Sequence, residues 1–311
     1  MRVTVATTLP EVQNLRSLWT RLVEHSRATL FQTFDWNLLA LQTFAEEKPY
    51  FVAVELDSSA AFVPAIVRDR EIRLAGGPLF DYRDAICAGD EAAFRLALAK
   101  VDELGLPWTV FGIPSAERWL AAQSWTAAPF VSLRDISAEA FAERHTRARR
   151  SLRRLIDDGA SVRVAAGTPD LIEHIYREKA KEPSVWGENV FRDPRCILFM
   201  REVVQLPQTR CHIFLMEVAS EPIGALVTFL DGQFRRFYTT WMDQRWSRHS
   251  PGIALLYEAT CQTLAAGLEC DYMTGEQPYK LRFATGSVPL YKVEAAASAI
   301  VTNEVEVLKA A

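Results

Sequence analysis

The sequence predicts an α/β protein of two similar domains in tandem, each a mostly antiparallel sheet flanked by helices. Three observations predict it. A short alternating strand followed by a proline-started helix occurs twice. The first copy is Val3-Thr4-Val5-Ala6 with Thr8-Leu9-Pro10-Glu11-Val12, and the second, about 160 residues later, is Val162-Arg163-Val164-Ala165 with Gly167-Thr168-Pro169-Asp170-Leu171. A β-hairpin pattern recurs at the same interval, and each hairpin is followed by a helix, a glycine stop and another strand. Several matches in one order point to a duplicated plan.

The hairpins read as residues 50–57 (YFVAVELD) and 61–68 (AFVPAIVR) around Ser58-Ser59, then 211–218 (CHIFLMEV) and 222–230 (PIGALVTFL) around Ala219-Ser220. Helix 91–104 ends at Gly105 before PWTVFGI, and helix 251–266 ends at Gly267 before LECDYM. Glycine past the last turn is the usual left-handed stop. One copy is thus helix, helix, hairpin, a further strand, helix, strand, with a parallel pairing expected near the last helix. The domains are read as 1–135 and 136–311, the second including a basic connecting helix over 139–157.

Composition excludes several classes. The 311 residues are 49% hydrophobic and 24% charged, with a net charge of −4, as in a globular chain that does not advertise nucleic-acid binding overall. No apolar run approaches the roughly 20 residues of a membrane span, and MRVTVATTLP lacks an apolar signal core. Five cysteines without a CxxC pair suggest reduced thiols in a cytoplasm. There is no GxGxxG, Walker loop, GxSxG elbow or HExxH, and the five histidines show no metal-ligand spacing, so no metal is expected.

The halves differ where a site would lie. In the second, Asp231-Gly232 turns into QFRRFYTTW, followed by a loop and then SPGIALL. Ser250-Pro251-Gly252 would start a helix sharply and leave its first N–H groups uncovered, as an anion site requires. The matching helix of the first half starts near Asp90, whose charge would repel a phosphate. The first half would therefore shape or gate a substrate cleft, without a cofactor. Arg245, Arg248 and His249 precede the SPG start, with Trp241 and Trp246 among them. They could hold a nucleotide-bearing cofactor by bidentate pairing and stacking.

Polar residues crowd the strand end after Gly267. Asp271 or Glu276 could serve as general base, Tyr279 as acid or oxyanion donor, and Lys280 as an anion ligand. Asp271 could equally be a buried carboxylate that fixes the loop. Arg144, Arg147, Arg149, Arg150, Arg153 and Arg154 fall in one run, with Phe141, Ala148, Leu152 and Leu155 at helical spacing. This amphipathic helix could present its basic face to RNA, an anionic sugar-nucleotide, lipid headgroups or the other domain, or simply to solvent.

The element order is that of the GNAT acyltransferase fold. HSPGIALLYEA followed by AAGLECDYMTGEQPYK resembles the GNAT-type domain of CelD-like proteins, named for a link with bacterial cellulose and exopolysaccharide synthesis. Ser250, Pro251, Gly252, Gly267, Asp271, Gly275, Tyr279 and Lys280 carry the likeness. The helix ending RRLIDDGASVRV also looks like that family and the related FemABX transferases, and FQTFDWNLLALQTF resembles the family's N-terminal Phe-x-x-x-Trp segment. The resemblance implies tandem GNAT domains transferring an acyl group to an amine. His249-x-x-Gly252-x-Ala254 stands where ordinary GNAT enzymes have Q/R-x-x-G-x-G/A around the coenzyme A pyrophosphate, departing at its first position.

The expectation is an acyl-CoA-dependent N-acyltransferase acting on an amine of a small molecule or sugar, with acetyl-CoA or another acyl-CoA as co-substrate. Arg245, Arg248, His249, Ser250, Gly252 and Ala254 would bind it, and Tyr238, Trp241, Lys280 and Arg149 would meet the acceptor. Two alternatives stand beside it: an aminoacyl-tRNA-dependent FemABX-like transferase, and a non-catalytic scaffold in exopolysaccharide synthesis. No stable membrane insertion is expected.

Overall fold

The computed structural model describes residues 1–183 and 189–296. Two compact units form: Met1–Thr126 with the segment from Pro289 onward, and Ala127–Val288. The sequence reading divides the chain at 135/136; the compact units divide at 126/127, and the last described strand packs with the first unit.

The first unit begins with β1 (Arg2–Ala6), α1 (Leu9–Asn14), α2 (Arg16–Glu24) and α3 (Phe34–Thr43). Next come β2 (Lys48–Glu55), β3 (Ala60–Arg68), β4 (Glu71–Leu74), β5 (Ile86–Ala88), α4 (Ala92–Asp102) and β6 (Trp108–Ile113). The chain continues through β7 (Ala122–Val131), α5 (Ala138–Arg144), α6 (Thr146–Asp157), β8 (Ala160–Ala166), α7 (Pro169–Lys181) and α8 (Pro194–Val203). It closes with β9 (Arg210–Val218), β10 (Glu221–Asp231), β11 (Phe234–Met242), α9 (Pro251–Ala265), β12 (Glu269–Asp271), α10 (Pro278–Phe283) and β13 (Gly286–Ala295).

The duplicated helix starts share one physical cause. Thr8 and Thr168 are extended N-caps whose hydroxyls accept from the N–H of Glu11 and Leu171, and each is followed by a proline in the first turn. The hairpin of β9 and β10 turns at Ala219 and Ser220, both left-handed, which matches the twist of the strands it joins.

The strands of the first unit lie in the order β1-β2-β3-β4-β6-β13, with β5 on β3. Those of the second lie in the order β7-β12-β11-β10-β9-β8. All pairings within these runs are antiparallel except β4 with β6 and β11 with β12. Neighbours in the chain have exchanged places: β7 follows β6 yet pairs with β12, and β13 follows β12 yet pairs with β6.

Both faces of the first sheet are covered, which explains why β2 is apolar without alternation. Phe51 and Ala53 join Trp19, Leu22, Phe34 and Phe62 on one face. Val52 and Val54 join Phe94, Leu98, Val101 and Trp108 on the other. In the second unit, Phe214, Met216, Leu226 and Phe237 pack with Leu152 and Leu155 of α6 and with Leu255 and Ala259 of α9. That helix is buried on most sides, and its Thr260 and Thr263 hydroxyls donate to the carbonyls of Leu256 and Ala259.

Asp84, before β5, accepts on Oδ1 from Trp119 Nε1 at 2.9 Å and from the Ala85 N–H at 2.8 Å. Burial pushes its carboxyl up to about 6. The folded state therefore holds a proton that the unfolded chain releases near pH 4, so this stabilisation is full below that value and lost as pH rises through about 6. Asp84→Asn keeps both acceptor bonds and should gain on the order of 1–3 kcal/mol at pH 7 with little change at pH 4. Urea midpoints at the two pH values check this, and equal effects at both would overturn it.

Candidate functional site

Parallel strands β11 and β12 pair over three residues only, Phe234 with Glu269, Arg235 with Cys270 and Arg236 with Asp271. Beyond Arg236, β11 runs on to Met242 while the chain after β12 turns away. Tyr272 donates its N–H to Pro129 O and Gly275 to Ala127 O. An opening results at the carboxyl ends of two parallel strands, the usual position of ligands in α/β sheets. On the edge paired with β10, β11 carries a bulge: Val227 faces Thr239 and Thr228 faces Phe237, so Tyr238 is the extra residue. Bulges re-aim side chains next to active sites. The Tyr238 ring packs edge-on against Phe229 at 5.4 Å.

Arg236 sits at the last paired position. Its Nε donates to Asp231 Oδ2 at 2.5 Å, and its Nη1 donates to Asp271 Oδ2. The other Asp271 oxygen accepts the Met273 N–H at 2.7 Å. Met273 is left-handed (φ 63°), an uncommon state for a side chain of its kind. Lys280 is buried and donates to the carbonyls of Met273 and Thr274 at 3.3 and 2.7 Å. Asp271 and Lys280 therefore hold the loop after β12. Of the two roles the sequence leaves open for Asp271, these bonds match the one that fixes the loop, and Lys280, expected as an anion ligand, is buried and bonded to carbonyls. Glu276 is exposed on that loop, and Tyr279 is exposed on the short α10 that follows.

The start of α9 differs from expectation as well. Ser250 caps it in the left-handed region (φ 52°) with no side-chain cap bond. Its carbonyl accepts from Ile253 and Ala254, its own N–H goes to Ser247 O, and Pro251 has no N–H. Gly252 is left as the first-turn donor without a backbone acceptor, so the anion site offers one N–H rather than several. Ala254 is buried, and its N–H is used. Arg248 Nε donates to His249 Nε2 at 2.9 Å, which joins those two exposed or half-exposed groups beside the helix start. Arg245 is elsewhere, bonded to Asp243 at 2.6 and 2.8 Å.

Helices α5 and α6 run antiparallel along α9. Phe141 stacks on Tyr257 at 6.1 Å, and Ser151 Oγ donates to the His249 carbonyl at 3.0 Å. Arg147, Arg150 and Arg154, spaced three and four apart, share the side of α6 next to Ser151 and so border the start of α9. Arg149 lies within electrostatic reach of Tyr257. All six arginines of residues 144–154 are exposed, and none forms an ion pair among the described residues.

At the far end of β11 a cavity of about 540 Å³ lies between the end of α7 and the start of β10. Trp241, foreseen as an acceptor contact, lines it, as does Arg245. So do Glu178, Glu182, Glu221 and Asp243, while the His174 ring meets Trp241 edge-on at 6.2 Å. Sequence reasoning missed His174 and these carboxylates, because α7 lies some 60 residues from β11 and carries no motif. Among the described residues no group of three or more His, Cys, Asp or Glu side chains could hold a metal ion. No helix there is long and apolar enough to cross a membrane.

Residues 142–281 match the family described as Acetyltransferase (GNAT) domain. No curated protein sequence matches the chain. The C-terminal domain of a putative lysylphosphatidylglycerol synthetase from Agrobacterium fabrum aligns over 96% of this chain and 95% of its own, with a TM-score of 0.58 at 12% identity. FemX aligns over 99% of each chain with a TM-score of 0.57 at 8% identity. A tandem GNAT protein from the clavulanic acid biosynthesis pathway aligns over 96% and 100%, with a TM-score of 0.53 at 10% identity. At these identities the likeness is one of fold: two GNAT-like α/β units in tandem.

Asp271→Asn would take one of two carboxylates from a buried guanidinium. Removing a partner from a buried pair costs about 3–5 kcal/mol, and the remaining Asp231 places this variant near the lower end. A lowered urea midpoint is expected. An unchanged midpoint would return Asp271 to the role of proton acceptor.

Proposed function

We propose that the second unit transfers an acyl group from an acyl-coenzyme A thioester to an amine of a small molecule or sugar. The observation that carries this reading is the opening between β11 and β12, with the edge of β11 left unpaired beyond Arg236 on one side and the start of α9 near the end of that strand. The thioester would lie along that edge, its carbonyl accepting a backbone N–H, a donor that is fixed before charge develops. The coenzyme phosphates would rest on the Gly252 N–H, with Arg248 and the Arg147, Arg150 and Arg154 side of α6 supplying charge and His249, which accepts from Arg248, beside them. This replaces Arg245, which Asp243 holds.

The cavity at the end of β11 suits a cationic acceptor. Four carboxylates line it; Glu178, Asp243 and Glu182 are bonded to Lys181, Arg245 and Lys179, and Glu221 would meet the ammonium. An ammonium held there must lose one proton to become a nucleophile, and Glu276 or a cavity carboxylate would pass it to water. The amine lone pair then attacks the thioester carbon, the C–S bond breaks, and nitrogen releases its second proton. Tyr279, exposed on α10, would protonate the departing thiolate and regain that proton. The products are an amide and free coenzyme A. Positioning would supply most of the effect, roughly 7–11 kcal/mol of barrier lowering where it is complete.

Calorimetric titration with coenzyme A and acetyl-CoA tests the donor. Micromolar binding is expected, weakened at least about tenfold in Ser250→Glu, where a negative charge would meet the phosphates. Absence of binding by the parent protein would overturn the acyl-CoA reading.

One observation favours a second donor. Six exposed arginines without ion-pair partners give the helix pair a basic face that a coenzyme would only partly use. An aminoacyl-tRNA donor would use it fully, since phosphate contacts dominate nucleic-acid affinity. Under this reading charged tRNA should bind with affinity falling steeply with salt, and Arg150→Gln with Arg154→Gln should flatten the slope by about two phosphate contacts. The lack of a gel shift at low salt would remove it.

A further inference from the structure

The first unit has an opening of its own between parallel strands. β4 and β6 meet at one register point, Ile72 opposite Trp108, and part beyond it. In that opening lies a cavity of about 250 Å³ lined by Arg68, Arg73, Arg83, Glu47, Thr109 and Phe111. Three guanidinium groups thus converge from the end of β3, from β4 and from the loop before β5.

Its rim is rigid. The buried carboxylate of Glu47 accepts the N–H groups of Gly77 at 3.0 Å and Gly76 at 3.4 Å, while Arg83 Nη2 donates to the Gly77 carbonyl. Both glycines have positive φ, and a Cβ would come within 2.3 Å of Phe80 at Gly76 and 2.7 Å of Phe44 at Gly77. Glu47 is therefore engaged in holding this turn. Burial raises its carboxyl, while the two N–H groups and the charges of Arg83 and Arg68 pull it back down.

The cations are only partly balanced from outside. Arg73 bonds to Glu71 at 2.8 and 3.2 Å, and both side chains are about one-third exposed. Arg68 Nη1 lies 3.7 Å from Glu46, and its buried Nε lies 3.4 Å from Asp69 Oδ2, an ion-pair contact without hydrogen-bond geometry. Neither contact is a bidentate pair, so the fork of Arg68 is open to a better-matched oxyanion. Guanidinium forks match planar or tetrahedral oxyanions bidentately. Opposite them, Leu74 and Phe111 give an apolar wall, and the Phe111 ring is backed by Trp125 at 5.4 Å. The volume is at the low end for ligand sites and suits a compact molecule.

We infer that the first unit binds a small organic oxyanion, a carboxylate or phosphate on a compact aromatic or apolar body, with its charged end on Arg68, Arg73 and Arg83. The site is separate from the acyl-transfer reading, and its test is a binding measurement that does not depend on any activity. Calorimetry on the full chain would use benzoate and phenyl phosphate as probes, with benzyl alcohol as the uncharged control. At least one anion should bind with a Kd of a few millimolar or tighter, and the alcohol should give no heat. A preference for benzoate assigns a carboxylate, and a preference for phenyl phosphate assigns a phosphate. Arg73→Gln and Arg68→Gln should each weaken binding about tenfold or more, while Arg150→Gln on α6 leaves it unchanged. No heat with either anion up to about 10 mM, affinity unchanged from the parent in both pocket variants, or loss in Arg150→Gln would overturn the assignment.

Discussion

A buried guanidinium between two carboxylates sets the geometry around which the second unit is organised. Arg236 cannot stay charged inside the protein without partners, and it takes them from Asp231 at the end of β10 and Asp271 at the end of β12. The bond to Asp271 spans the last paired position of the two parallel strands, so it pins the point from which they part. The second oxygen of Asp271 then fixes the left-handed Met273, and Lys280 ties the loop from its other side. One desolvated charge thereby determines where the opening begins and how its floor is shaped. The strained backbone at Met273, and at Ser250 across the mouth, is what such over-determined surroundings can sustain.

The two units show how one plan carries different chemistry. Each has one parallel strand pair with a helix between its strands in the chain, α4 in the first and α9 in the second, and in each the pairing is short. In the first, three arginines gather in the opening. In the second, the opening meets a helix start, and carboxylates collect in the cavity at the end of β11. Nothing in the order of elements requires this division; it lies in side chains on equivalent strands, which is why a shared fold does not select a function.

Much of the architecture was legible because its causes are local. The hairpins show in paired apolar runs and turn positions, the paired helix starts in Thr8-Leu9-Pro10 and Thr168-Pro169, and the helix ends in Gly105 and Gly267. The exchange of β7 and β13 was not legible, since pairing partners far apart in sequence leave no local mark. Within QFRRFYTTW nothing marks Arg235 and Arg236 as buried, because their partners lie on other strands and buried arginines are rare without partners. For Asp271 the sequence left two roles open, and its two bound donors match the one that fixes the loop. At SPGIALL the helix start was correctly placed, but the left-handed Ser250 and the use of its carbonyl by two N–H groups depend on how the preceding loop arrives.

The strand exchange has a consequence for how the chain is made. The first unit has most of its sheet once β6 leaves the ribosome at Ile113, yet its edge strand ends at Ala295, about 180 residues later. At roughly 5–20 residues per second, that interval lasts on the order of 10–40 s. Until then the outer edge of β6 is an unpaired template for other strands. Vectorial synthesis thus makes the N-terminal half the last to be completed, and neither half can be cut out as a self-sufficient cassette without taking a strand from the other.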